Sequence, residues 1–104
     1  MKTNIENAEV INNEKDHRFE INIDGEMAVI PYGLKDDLIA LYHTEVPENL
    51  GGKGLGTKLA VYALNYAKDH NLKILLYCPF IAAYVKKHPE WKQYIKHFRV
   101  SSNH

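Results

Sequence analysis

Leu50-Gly51-Gly52-Lys53-Gly54-Leu55-Gly56-Thr57 separates a run that reads as a β-strand from one that reads as a helix. Four of the chain's six glycines fall in this stretch. A helix start needs no glycine, because Ser, Thr, Asp or Asn caps it better. Glycines crowded there mean either that the backbone bends sharply or that something approaches it closely. The free N–H groups of a helix N-terminus hold phosphate well, and Lys53 adds a positive charge. The stretch therefore reads as a phosphate cradle, with an ordinary glycine-rich loop as the competing reading.

Elimination narrows the ligand. A Walker A loop needs Gly, four residues, Gly, Lys, then Ser or Thr; Gly51 and Gly56 are correctly spaced, but Thr57-Lys58 follows in the wrong order. A dinucleotide fingerprint starting at Gly52 puts Thr57 where its third glycine belongs. The strand that follows ends in Tyr77-Cys78-Pro79, with no acid to hold a ribose.

Upstream of the loop, Leu38 to Val46 is largely apolar and reads as a central strand. Ile39, Leu41, His43 and Glu45 share one face of it, and Leu38, Ala40, Tyr42 and Thr44 the other. A bulge near its end would swap the later residues. Downstream, Leu55, Leu59, Tyr62, Ala63 and Tyr66 recur at helical spacing to about His70, with Asn71 as a C′ residue. Leu72 to Tyr77 reads as a buried strand. Pro79 suits the first turn of another helix, with Ile81, Tyr84, Val85 and His88 on one stripe, and Pro89 ends it. Trp91, Tyr94, Ile95 and Phe98 form a second short stripe that closes the core, and the tail from Ser101 reads as frayed. Strand, helix and strand between Leu38 and Tyr77 make a βαβ crossover with parallel strands, so the glycine loop lies beyond a carboxyl end, where α/β sheets bind ligands.

The N-terminal part reads as antiparallel. Ala8 to Ile11 is a short strand ended by Asn12-Asn13. Phe19, Ile21 and Ile23 alternate with polar residues. Asp24-Gly25 signals a type I′ hairpin turn, and Met27 to Tyr32 returns as the next strand, broken at Gly33 and Asp36-Asp37.

Composition bounds the rest. A chain of 104 residues, 45% hydrophobic and 25% charged, is expected to make one domain over 1–104, with its core over about 8–98. Thirteen basic and thirteen acidic residues cancel, which removes bulk attraction to nucleic acid or anionic membrane. Six histidines, at 17, 43, 70, 88, 97 and 104, have no metal-ligand spacing, so no metal is expected. One cysteine forms no internal disulfide, the polar acid-bearing start is no secretory signal, and no apolar run approaches a membrane span. These features point to a cytoplasmic protein.

The string His43-Thr44-Glu45-Val46-Pro47, then Gly52-Lys53-Gly54-Leu55-Gly56, then Tyr77-Cys78-Pro79-Phe80 and Tyr84 with His88-Pro89-Glu90 resembles the small, cysteine-containing GCN5-related N-acetyltransferase-like proteins, over roughly Ala8 to Ile95. Their pyrophosphate loop is written Q/R-x-x-G-x-G/A. Gly54-Leu55-Gly56 fits its second half, and Gly51 stands where the usual Gln or Arg would be. The resemblance implies an α+β fold: a mixed sheet with antiparallel N-terminal strands, a βαβ unit whose parallel strands splay to admit CoA, and C-terminal helices. It implies that acetyl-CoA is the acyl-donor substrate, held by Gly51 to Thr57 (Gly51, Gly52, Lys53, Gly54, Leu55, Gly56 and Thr57), and that the acceptor is an amine on a small molecule or a protein. Larger family members carry two helices between their first two strands; Asn12 to His17 leaves no room for them, so the acceptor side is expected to be open.

Acyl transfer to an amine requires a proton acceptor, an oxyanion donor and an acid for the leaving thiolate. By resemblance, the backbone N–H of Val46 is the oxyanion contact and Tyr84 the acid; on spacing alone Tyr84 is a core residue of its stripe. His43 and Glu45, two apart on a strand, are candidate bases, against the alternatives of a hydrogen-bonded strand histidine and a solvated acid. Cys78 precedes the helix opened by Pro79, where the helix dipole favours a thiolate that could carry the acyl group. The alternative is a buried cysteine acting as a small hydrophobe. Two functions follow: an acyltransferase, or a CoA-binding regulatory or adaptor module without turnover.

Overall fold

The computed structural model describes residues 8–99. The elements run β1 (Ile11–Asn13), β2 (Arg18–Ile23), β3 (Glu26–Lys35), β4 (Leu38–Leu41), a 3-10 turn (Glu48–Leu50), α1 (Leu55–Asp69), β5 (Lys73–Leu76), α2 (Pro79–Lys87), a second 3-10 segment (Pro89–Tyr94) and β6 (Ile95–Phe98). They build one six-stranded sheet in chain order. Strands β1 to β4 pair antiparallel, and β4–β5 and β5–β6 pair parallel.

The alternation in β2 works as the sequence predicts. Phe19, Ile21 and Ile23 are buried and lie opposite Ile30, Ala28 and Glu26 of β3. Asp24 and Gly25 both have positive φ (52° and 91°), the requirement of a type I′ turn. Helix α1 covers this face: Tyr62 and Tyr66 pack their rings on Phe19, while Leu59, Ala60, Ala63, Leu64 and Ala67 are fully buried. Each large apolar side chain buried in this way contributes about 1.5–3 kcal/mol.

Helix α1 ends in a Schellman arrangement. Asn71 adopts φ 56°, its N–H bonds the Lys68 carbonyl at 3.3 Å, and the Leu72 N–H bonds the Ala67 carbonyl at 2.8 Å. Asn tolerates this left-handed conformation and Ala does not. Asn71→Ala is therefore expected to lower stability by about 1 kcal/mol, read as an earlier urea midpoint at unchanged slope.

The structure departs from the sequence reading in four places. The first strand is Ile11–Asn13, not Ala8–Ile11, because both asparagines find cross-strand partners. The Tyr32 hydroxyl donates to Asn12 Oδ1 at 2.7 Å, and Asn13 Nδ2 donates to Glu20 Oε2 at 2.9 Å. Strand β3 runs on through Gly33 to Lys35. The tip of the exposed Tyr42 side chain lies over Gly33, where a Cβ would stand 2.4 Å from its hydroxyl oxygen. Ladder pairing in β4 stops at Leu41 rather than Val46. Finally, Ile95–Phe98 is not helical. The open edge of β5 offers backbone partners, Ile95–Phe98 takes them as β6, and Phe98 is 50% exposed instead of closing the core.

The sheet face opposite α1 carries no helix among the described residues. Val29, Pro31, Leu38 and Leu75 are half-buried on it, and Met27, Tyr42 and Tyr77 are exposed. Glu20 also lies on this face; burial alone would raise its carboxyl, but bonds from Arg18 and Asn13 outweigh that and hold it below the usual range.

Candidate active site

The site is built where β4 and β5 part. The Leu41 carbonyl accepts from both the Tyr77 N–H (3.0 Å) and the Cys78 N–H (3.1 Å), and no backbone bond joins the two segments beyond it among the described residues. From there β5 turns into α2 behind Pro79, while the chain after β4 leans back to β3, where Glu45 bridges Val29 through two 2.9 Å bonds.

That bridge contains a bulge. Leu41 lies opposite Tyr32 and Glu45 opposite Val29, so four steps on one strand match three on the other. Side-chain alternation reverses across it. Glu45 moves to the open face beside Val29, and Thr44 turns toward the core, where its Oγ1 lies 3.1 Å from the Cys78 sulfur. Cys78 is fully buried. His43 and Glu45 are exposed and meet each other, imidazole Nε2 to carboxylate at 2.5 Å.

The glycine loop opens α1. Gly54 is its N-cap residue with φ 84°, and Gly52 has φ 75°. Both positions need glycine for the bend, and a Cβ at either would meet nothing within 4 Å. Gly56 differs: its φ is ordinary for a helix, but a Cβ would stand 2.8 Å from the tip of the Phe80 ring. The close approach expected at this glycine is made by Phe80. The first bond from the helix to the loop runs from the Lys58 N–H to the Gly54 carbonyl at 3.0 Å. The six N–H groups from Gly52 to Thr57 consequently have no backbone acceptor among the described residues.

These parts enclose a cavity of about 550 Å³ between Thr44, Val46 and Leu50 on one side and the loop, Thr57 and Phe80 on the other. Val46 lines it, and its N–H has no backbone acceptor among the described residues. Lys53 is exposed and does not line it. Tyr84 borders a neighbouring cavity of about 260 Å³ with Ala83 and Lys87. Phe80 and Thr57 line both cavities, and the Tyr84 ring stacks on His88 at 4.2 Å between centroids. The structure thus gathers Val46 and the glycines of the loop around one space; Cys78 does not line it but touches Thr44, which does. His43 and Glu45 lie on the exposed side, and Tyr84 stands behind Phe80. Sequence reasoning did not single out Thr44 or Phe80. Only the bulge reveals Thr44, whereas the position of Phe80 one residue after the helix-opening proline was available as a signal.

The family model described as GCN5-related N-acetyl-transferase matches residues 18–94. The chain belongs to the GCN5-related N-acetyltransferase family. Protein NATD1 of Gallus gallus is 33% identical over 94 residues, covering 88% of this chain and 84% of that protein. Protein NATD1 of Danio rerio is 32% identical over 93 residues, covering 85% and 84%. The solution structure of a GCN5-like protein from Staphylococcus aureus superposes with a TM-score of 0.66 at 28% identity, over 96% of this chain and 97% of that one. The mixed sheet with its parted parallel strands is therefore the family's α+β fold. Among the described residues no group of three or more His, Cys, Asp or Glu side chains is placed to hold a metal ion, and no helix is long and apolar enough to cross a membrane.

Proposed function

We propose that this protein moves an acetyl or other short acyl group from acetyl-CoA to an amine by way of Cys78. One observation carries the reading. One cavity is lined both by the loop whose six N–H groups lack backbone acceptors among the described residues and by Thr44, whose hydroxyl touches the Cys78 sulfur. The loop donors from Gly52 to Thr57 suit the pyrophosphate, with Gly51 in the turn before them and Lys53 adding charge at the rim. The Cys78 sulfur attacks the thioester carbonyl, a new C–S bond forms, and the bond to the CoA sulfur breaks. Tyr84 protonates the departing sulfur and is recharged by the proton that Cys78 released to solvent. Phe80 borders the Tyr84 cavity, so this step calls for its ring to turn. An amine then gives its ammonium proton to the His43–Glu45 pair and attacks the acyl-cysteine. The amide forms, and the thiolate of Cys78 leaves and takes up the nitrogen's second proton. The Val46 N–H steadies the oxyanion in both steps. A carrier thiol suits a reducing compartment, and we assign the protein to the cytoplasm.

The sheet face left uncovered by the described residues favours a second reading, a CoA-binding regulatory or adaptor module without turnover, since none of those residues encloses a small acceptor there. Mixing the protein with acetyl-CoA and a panel of amines and proteins discriminates: CoA release that depends on the amine supports transfer, and binding without release supports the module.

Gly54→Val is expected to weaken acetyl-CoA binding by about tenfold or more, because valine is strained at φ 84° and the donors lose their common direction. Amide chemical shift changes on titration check it. In the wild type the largest changes belong at residues 46–57 and 78–84, and changes centred elsewhere overturn the loop assignment.

A further inference from the structure

We infer that Thr44 is a positioning residue for Cys78, its hydroxyl holding the sulfur in place and stabilising it whenever it becomes a thiolate. The inference rests on the reading of Cys78 as acyl carrier and adds the group that lets a buried sulfur play that part. Cys78 is completely buried, and a buried anion without a donor is costly. Its backbone is tied at both ends, by the N–H to the Leu41 carbonyl at 3.1 Å and by the carbonyl to the Ala82 N–H at 3.0 Å. Thr44 Oγ1 stands 3.1 Å from the sulfur and also lines the cavity.

With a neutral thiol either atom can donate in this contact. With a thiolate only the hydroxyl can, and the bond becomes charge-assisted and stronger. The sulfur is anionic at two moments of the proposed reaction: as it attacks the thioester, and as the amine displaces it. One hydroxyl serves both. Thr44 reaches this place because of the bulge; a regular β4 would have aimed it at the open face with Ala40 and Tyr42. A threonine placed there only to pack would be replaceable by valine, which has nearly the same shape.

Intact-mass spectrometry of single turnovers tests this on Thr44→Val, Thr44→Ala and Thr44→Ser, with acetyl-CoA and separately with methyl methanethiosulfonate. The chain has one cysteine, so every thiol adduct reports Cys78. Loss of the hydroxyl is expected to slow both reactions by on the order of 10- to 100-fold, with half-saturation by acetyl-CoA unchanged and Thr44→Ser within about threefold of wild type. Loss of the fold would expose the sulfur and speed the methanethiosulfonate reaction, so it cannot imitate a fall in both rates. Equal or faster methanethiosulfonate reaction in both Thr44→Val and Thr44→Ala overturns the inference. If wild type gains no acetyl group while the methanethiosulfonate rates still fall and recover with serine, the acyl-carrier reading fails and the role of Thr44 stands.

Discussion

Cys78→Ser is expected to lower amine acetylation by on the order of 10³-fold or more, the scale on which enzymes lose rate when a covalent nucleophile is removed. Serine keeps the size and a hydrogen-bonding group near Thr44, so the fold and acetyl-CoA binding are expected to survive. The serine hydroxyl is a far weaker nucleophile, because among the described residues no base is hydrogen-bonded to this position, whose side-chain partner is the Thr44 hydroxyl. Intact mass after incubation with acetyl-CoA gives the companion result: wild type gains one acetyl group and the variant gains none. A variant that transfers at full rate, together with a wild type that gains no acetyl mass, would end the covalent route. Direct attack by the amine on the thioester would then remain, with His43–Glu45 as base.

Tyr84→Phe carries the other large effect. If the hydroxyl protonates the leaving CoA sulfur, turnover falls by about 10²–10⁴-fold while acetyl-CoA affinity stays near wild type. The ring is retained, so its packing against the core and its stacking on His88 are conserved. An unchanged turnover number in the folded variant would make Tyr84 a packing residue of α2 and no more. Acyl donors with a more acidic leaving thiol sharpen the comparison, since they need less protonation and are expected to close the gap between variant and wild type.

The elements that carry local signals were legible in the sequence. The alternation of Phe19, Ile21 and Ile23, the Asp24-Gly25 turn, the apolar stripe of α1 with Asn71 behind it, and Pro79 at the start of α2 all act over a few residues and need no distant partner. What the sequence hid depends on contacts made far along the chain. Asn12 and Asn13 look like a turn until Tyr32 and Glu20 satisfy their side chains. Ile95–Phe98 has helical spacing until the edge of β5 recruits it. The loop was recognisable from its glycines, yet their reasons differ: Gly52 and Gly54 bend the chain, whereas Gly56 makes room for Phe80. The His43–Glu45 contact fits two residues spaced by one on a strand, but the Thr44–Cys78 contact spans 34 positions and arises only through a one-residue irregularity.

That irregularity bears on how the chain tolerates changes of length. Most insertions and deletions in a small domain fall in loops and are absorbed there. Between Tyr42 and Glu45 the slack is the bulge itself, one residue more than the facing segment of β3 requires. Removing His43 would let the β3–β4 ladder run on in register, three steps against three, with Glu45 still opposite Val29. Thr44 would face the core and Glu45 the open side as they do now, because the strand's period of two is then restored without a slip. A gene that lost that single codon would give up the imidazole beside Glu45 and keep the threonine beside the cysteine. Lineages can therefore differ by one residue here without exchanging the wet and dry sides of the strand.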